Sequence, residues 1–120
     1  MKKSWAVEWV KALRSGDYKQ GRPGIMVDPE GGYCCLGVLQ ELTGRVRENN
    51  ALLSLEACVE TGMRTGVGSW HNKYGRCALS EMNDSGRVRS GAKGTKRAPL
   101  GRRFTFPEIA DWIEKHYKVL

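Results

Sequence analysis

A chain of 120 residues that is 40% hydrophobic and 28% charged has the makeup of one soluble domain, large enough to bury a core without disulfides or metal. The formal net charge is +7, and no run approaches the roughly 18 apolar residues of a membrane span. Met1-Lys2-Lys3 is followed by a stretch that holds Glu8 and Lys11 and has no small-residue cleavage site, so no signal peptide is predicted. The expectation is a cytoplasmic chain whose four cysteines are reduced.

Taken in order, the chain first offers an amphipathic helix from Ser4 to Ser15. Trp5, Trp9 and Leu13 form its stripe, with Ser4 as N-cap and Gly16 as stop. The stretch from Asp17 to Gly24 holds two Gly and Pro23, so it reads as a turn. Ile25-Met26-Val27 is a short strand candidate, and Asp28-Pro29-Glu30-Gly31-Gly32 a tight turn. A second helix follows from about Cys34 to Leu42, with Gly44 as its stop. It is the most apolar window of the chain, and the other elements are expected to pack around it. Gly37 inside it weakens the helix by about 1 kcal/mol relative to Ala, which implies a close approach there by another backbone or a ligand.

Leu53, Leu55, Cys58, Val59 and Met63 suit a third helix capped by Ser54 and ended near Gly62. Thr65 to Arg76 reads as loop, Cys77 to Met82 as a helical turn, and Asn83-Asp84-Ser85-Gly86 as another turn. The segment from about 85 to 103 is Gly-rich and basic. It is expected to be a long hairpin or partly disordered, with Val88 on the first arm and Arg103-Phe104 on the returning one. Thr105 and Glu108 form a capping box for a last helix, with Phe104 and Ile109 as its hydrophobic staple. The predicted architecture is a small single α+β domain over 1–120, with about four helices around a buried central helix and a small antiparallel sheet.

Three kinds of chemistry can be weighed from the residues. Metal binding would draw on Cys34, Cys35, Cys58, Cys77, His71 and His116, but the one cysteine pair is adjacent and lacks ligand spacing. Cysteine-dependent catalysis would place Cys34 or Cys35 at a helix N-terminus, where the dipole favours thiolate, with His71 as base. Anion binding would use Lys19, Gln20 and Arg22 in their Gly-containing turn, together with the free N–H groups that open the second helix. Tyr33, Trp70 or Tyr74 would stack on a base, and Asn83 and Asp84 would read hydroxyl or amino groups. A separate polyanion surface is suggested by Arg87, Arg89, Lys93, Lys96, Arg97, Arg102 and Arg103, which lie in one acid-free segment and account for the whole net charge.

The blocks Ala12 to Arg22 (with Lys19-Gln20-Gly21-Arg22), Tyr33 to Leu39 (with Cys34-Cys35-Leu36-Gly37-Val38-Leu39), Leu79 to Asp84 and Phe106 to Ile113 resemble, in this order, a widespread group of small and mostly uncharacterised proteins of tailed bacteriophages and prophages. The resemblance spans about half the chain. Pro23 and the length of the basic segment depart from the group's pattern. The resemblance implies an accessory protein of the host cytoplasm, of a size that phages often use against host defence. The leading expectation is non-enzymatic sequestration of a phosphorylated small molecule such as a nucleotide immune signal, without cofactor, metal or membrane, in a chain able to form homo-oligomers. The alternatives are a basic binder of nucleic acid or of an acidic host protein, and a cysteine-dependent enzyme.

Overall fold

In a computed structural model, which describes residues 1–89, 96–97 (backbone only) and 102–120, helix α1 covers Lys3–Ser15. It ends on Gly16 in the left-handed conformation, as the glycine stop predicts. The start differs from expectation. Lys2 occupies the N-cap position with no side-chain cap, and Ser4 lies inside the helix. The extra turn is anchored because the Lys2 amide donates to the Thr61 carbonyl (2.8 Å). Trp9 and Leu13 are buried, as the stripe requires.

Helix α2, Cys35–Thr43, is the centre of the packing, with its first six residues all buried. Helix α1 reaches it through Trp9, whose indole Nε1 donates to the Cys35 carbonyl (2.9 Å). Gly37 has the role its placement suggested. A Cβ there would overlap the Met26 carbonyl, so the close neighbour is the backbone of the preceding loop. The same carbonyl accepts from the Cys34 amide (2.9 Å). Ile25-Met26-Val27 does not form the expected strand. Val27 makes one antiparallel bridge to Tyr33, and Tyr33 one parallel bridge to Gln20, because the loop doubles back within six residues.

Helix α3, Leu55–Thr61, is capped by the Ser54 hydroxyl. Its phase differs from the apolar pattern: Ala57 and Thr61 face inward, while Leu55 and Val59 are each 71% exposed. The buried Gln40 of α2 sets that phase. Its Oε1 accepts from the Ser54 amide (2.9 Å) and its Nε2 donates to the Ser54 hydroxyl (3.1 Å), which fixes the rotation of the cap about α2.

Thr65–Arg76 is not all loop. Strands β1, Ser69–Asn72, and β2, Gly75–Ala78, form an antiparallel hairpin around the two-residue connection Lys73-Tyr74. Gly75, at φ 123°, allows the tight return. Trp70 and Cys77 are paired and buried, while their neighbours His71 and Arg76 are paired and exposed. Strands of four residues leave only one alternation, too little for sequence to show. Helix α4, Leu79–Ser85, then absorbs the Asn83-Asp84 turn signal and ends on left-handed Gly86.

Strands β3, Val88–Arg89, and β4, Lys96–Arg97, are antiparallel. The predicted hairpin therefore exists in its backbone, with Val88 on the first arm. Its returning strand is Lys96–Arg97 and not Arg103-Phe104, which pass in irregular conformation to the last helix. Helix α5, Phe106–His116, carries the expected capping box of Thr105 and Glu108, and a 3-10 turn follows at Tyr117–Val119. The fold is thus a small α+β domain with helices against a central α2. Among the described residues no helix is long and apolar enough to cross a membrane.

Candidate anion-binding surface

The loop between α1 and α2 is organised by an acid. Asp28 is buried, and its carboxylate accepts from the backbone amides of Arg22 (2.9 Å), Glu30 (2.9 Å) and Gly32 (2.8 Å). The bonds from Gly32 and Arg22 hold its pKa below the usual carboxylate range. Gly21 donates its amide to the Tyr33 carbonyl (2.8 Å), and Tyr33 donates its own to the Lys19 carbonyl (2.8 Å). The amides of Gly21 and Arg22, expected to point at a phosphate, are therefore engaged within the protein.

The same holds at the start of α2. Asn83 is fully buried, and its Oδ1 accepts from the Cys35 amide (3.1 Å) and from Gln20 Nε2 (3.2 Å). Gln20 Nε2 also donates to the Phe104 carbonyl (2.8 Å), and the Cys34 sulfur accepts from the Gly37 amide (3.3 Å). Gln20 and Asn83 thus join four segments of chain instead of reading a ligand, and the helix start is closed by side chains. Asp84 is half-buried and accepts from Asn83 Nδ2 (2.9 Å). Trp70 is also not a free stacking face: it is buried, with its ring 4.2 Å from that of Trp112. Tyr33 is half-buried and meets Tyr18 edge to face at 5.2 Å. These residue types were visible in the sequence, but their partners lie 15 to 84 positions away.

What remains at the surface is a group of three cations beside the carboxylates of Asp28 and Glu30. Lys19 and Arg22 border a shallow depression of about 520 Å³, to which Arg103 is added from the other end of the chain. Arg103 Nη1 donates to the Gly21 carbonyl (2.8 Å). Arg22 pairs with Glu30 across the exposed rim. Of the basic segment, Arg102 is paired with Glu108 (2.7 Å), and that bond is the main reason Glu108 is held down at about 2. Arg87 is exposed and Arg89 half-buried, Lys96 and Arg97 are placed by the β4 backbone alone, and Lys93 lies outside the described residues.

The thiols of Cys34, Cys35 and Cys77 are buried in the core, and Cys58 is half-buried. Burial pushes Cys34 up to about 11, and pushes Cys35 well above the ordinary thiol value. Cys35 lies against the Leu79 carbonyl (3.9 Å). Among the described residues no group of His, Cys, Asp and Glu is placed to hold a metal ion.

Fold and surface together define a helical α+β domain with a cationic rim and a hydrogen-bonded polar interior. The chain belongs to the family described as Domain of unknown function (DUF8296), whose match runs over residues 1–117. No curated protein and no solved structure matches it.

Proposed function

We propose that this protein is a non-enzymatic phage accessory protein that captures a phosphorylated small molecule, of the nucleotide type used as a host immune signal. The observation that carries the reading is the bond from Arg103 to the Gly21 carbonyl (2.8 Å), which adds a third cation to Lys19 and Arg22 at one depression. Its volume, about 520 Å³, is in the range of small-ligand sites. Lys19 and Arg22 hold the phosphate oxygens, with Arg103 locked in place beside them; a planar guanidinium suits such bidentate contacts. Bound phosphate competes with Glu30 for Arg22. Gln20, Asn83 and Trp70 have no part in contacting the ligand, since each is engaged inside the fold. Buried thiols with raised pKa favour capture over thiol chemistry.

The test is native mass spectrometry of protein purified from defence-active cells, followed by titration with the nucleotide found. The expected result is a co-purifying phosphate-bearing mass that is released unchanged on denaturation. Arg22→Ala or Arg103→Ala should weaken it at least tenfold, as loss of a charged hydrogen bond implies. No adduct at saturating nucleotide would overturn the reading, and a chemically altered ligand would replace capture by catalysis.

A further inference from the structure

A second cationic surface lies on the two hairpins, independent of the depression. The sequence from 61 to 80 contains no Asp or Glu, and neither does the sequence from 85 to 107. In sequence these are two separate gaps between acids. The fold joins them. Asn72 Nδ2 on β1 donates to the Arg89 carbonyl on β3 (2.9 Å), and Arg89 Nε donates to the Arg76 carbonyl on β2 (2.9 Å). The Arg89 amide also meets the buried Cys77 sulfur (3.4 Å). The second hairpin is therefore docked on the first through the backbone and the guanidinium of Arg89. Lys73 and Arg76, which carried no expectation, come to lie beside the strand that holds Arg89, while β4 sets Lys96 opposite Arg89. Of the acids that bound these stretches, Glu81 lies on α4, where its carbonyl accepts from the Arg87 amide (3.4 Å).

We infer that this two-hairpin surface binds the phosphodiester backbone of nucleic acid, through the exposed side chains of Lys73, Arg76 and Arg87. Two observations favour nucleic acid over an acidic protein. The large hydrophobic side chains exposed among the described residues are Val7, Val46, Leu52, Leu55, Val59 and Val119, and none lies in a hairpin. Protein partners are held by apolar and aromatic anchors set in pockets, whereas a phosphate backbone needs only spaced cations and polar donors. The exposed cross-strand pair is His71 with Arg76, which supplies that kind of chemistry. A two-stranded ribbon is also of a width that nucleic-acid grooves admit.

The test is fluorescence anisotropy with a mixed-sequence 20-mer, single-stranded and duplex, between 50 and 200 mM NaCl. Three described cations on phosphates give an expected log–log salt slope on the order of −2 to −3. K73E together with R76E should reduce the slope by about two and weaken binding at least tenfold at the lowest salt. Their side chains take no part in the docking bonds, which use the Arg76 carbonyl, so the melting temperature should not move. Arg87→Gln gives a second, milder variant, with a slope change of about one. Arg22→Ala should leave oligonucleotide binding intact, which separates this surface from nucleotide capture. The inference is overturned if neither oligonucleotide binds at 50 mM NaCl, if the variants bind like the parent chain, or if polyglutamate competes as well as DNA of equal charge.

Discussion

The loop-and-helix interior around Asn83 and the two-hairpin surface are both rich in groups that bind anions, and they use them in opposite ways. In the interior each donor has a protein partner: Cys35 and Gln20 on Asn83, Gly32 and Arg22 on Asp28. On the hairpins the backbone is joined strand to strand, and the Lys73 and Arg76 side chains are at the exposed surface with no acid in the same segments. A polar motif inside a core is therefore a poor guide to a ligand, since a buried polar group has to be hydrogen-bonded whatever the function. Cations held apart from acids on a surface are a better one, because folding alone gives no reason to concentrate like charge.

Substitutions in the two regions should have opposite consequences for stability and binding. The largest effect is expected at Asn83. Asn83→Ala leaves the Cys35 amide and Gln20 Nε2 without their shared acceptor and should cost about 2–3 kcal/mol, read as a lower midpoint in urea. Midpoints unchanged within error would mean that the interior network carries no stability. Gly37→Ala should follow, at about 1–3 kcal/mol, because the Met26 carbonyl occupies the space a methyl needs. Thr105→Ala removes the α5 cap and should cost about 1 kcal/mol. The hairpin variant K73E with R76E should lie within about 0.5 kcal/mol of the parent while changing binding most; a large loss of stability would erase the contrast between the two regions.

Acid provides a further probe of the interior. The Asp28 pKa is lowered in the fold, so its unfolded form binds protons first as pH falls. Its contribution is complete above the ordinary carboxylate pKa of about 3.9 and is lost as pH drops through the lower folded value. Asp28→Asn should flatten that part of the pH–stability curve, measured by urea unfolding between pH 5 and 2; an unchanged slope would remove Asp28 as the loop's organiser. Thiol labelling is a smaller test. With Cys34 pushed up to about 11 and both adjacent thiols buried, neither should react with a disulfide reagent at pH 8 until the protein unfolds.

Much of the architecture was legible in the residues. The glycine stops at Gly16, Gly44 and Gly62, the caps at Ser54 and Thr105, and the close approach at Gly37 all follow from local rules. The first hairpin was not legible, because β1 buries only Trp70, β2 buries the adjacent Cys77 and Ala78 without alternation, and the turn lacks the usual Asn-Gly pair. Nor was the burial of Trp70, whose partner Trp112 is on the last helix. The candidate site was legible in part. Lys19 and Arg22 were on the expected surface, and Arg103 was known only as part of the basic segment. Asp28 was visible as a turn residue, and its Asp-Pro-x-Gly-Gly setting is a signal for a carboxylate closing on its own amides.

Local pattern was enough to place α1, α2, α3 and α5 and their stops at Gly16, Gly44 and Gly62, the central position of the Cys34–Leu42 segment and the isolation of positive charge before the last helix, while the start of α1 and both ends of α4 were missed. The legible features depend on neighbours within one or two turns, where spacing and conformational preference act directly. Tertiary structure alone decided that Gln20 and Asn83 face each other, that Arg103 crosses to Gly21, and that Arg89 docks on Arg76. Such pairs are set by how layers stack across long loops, and no local preference of either residue encodes its distant partner.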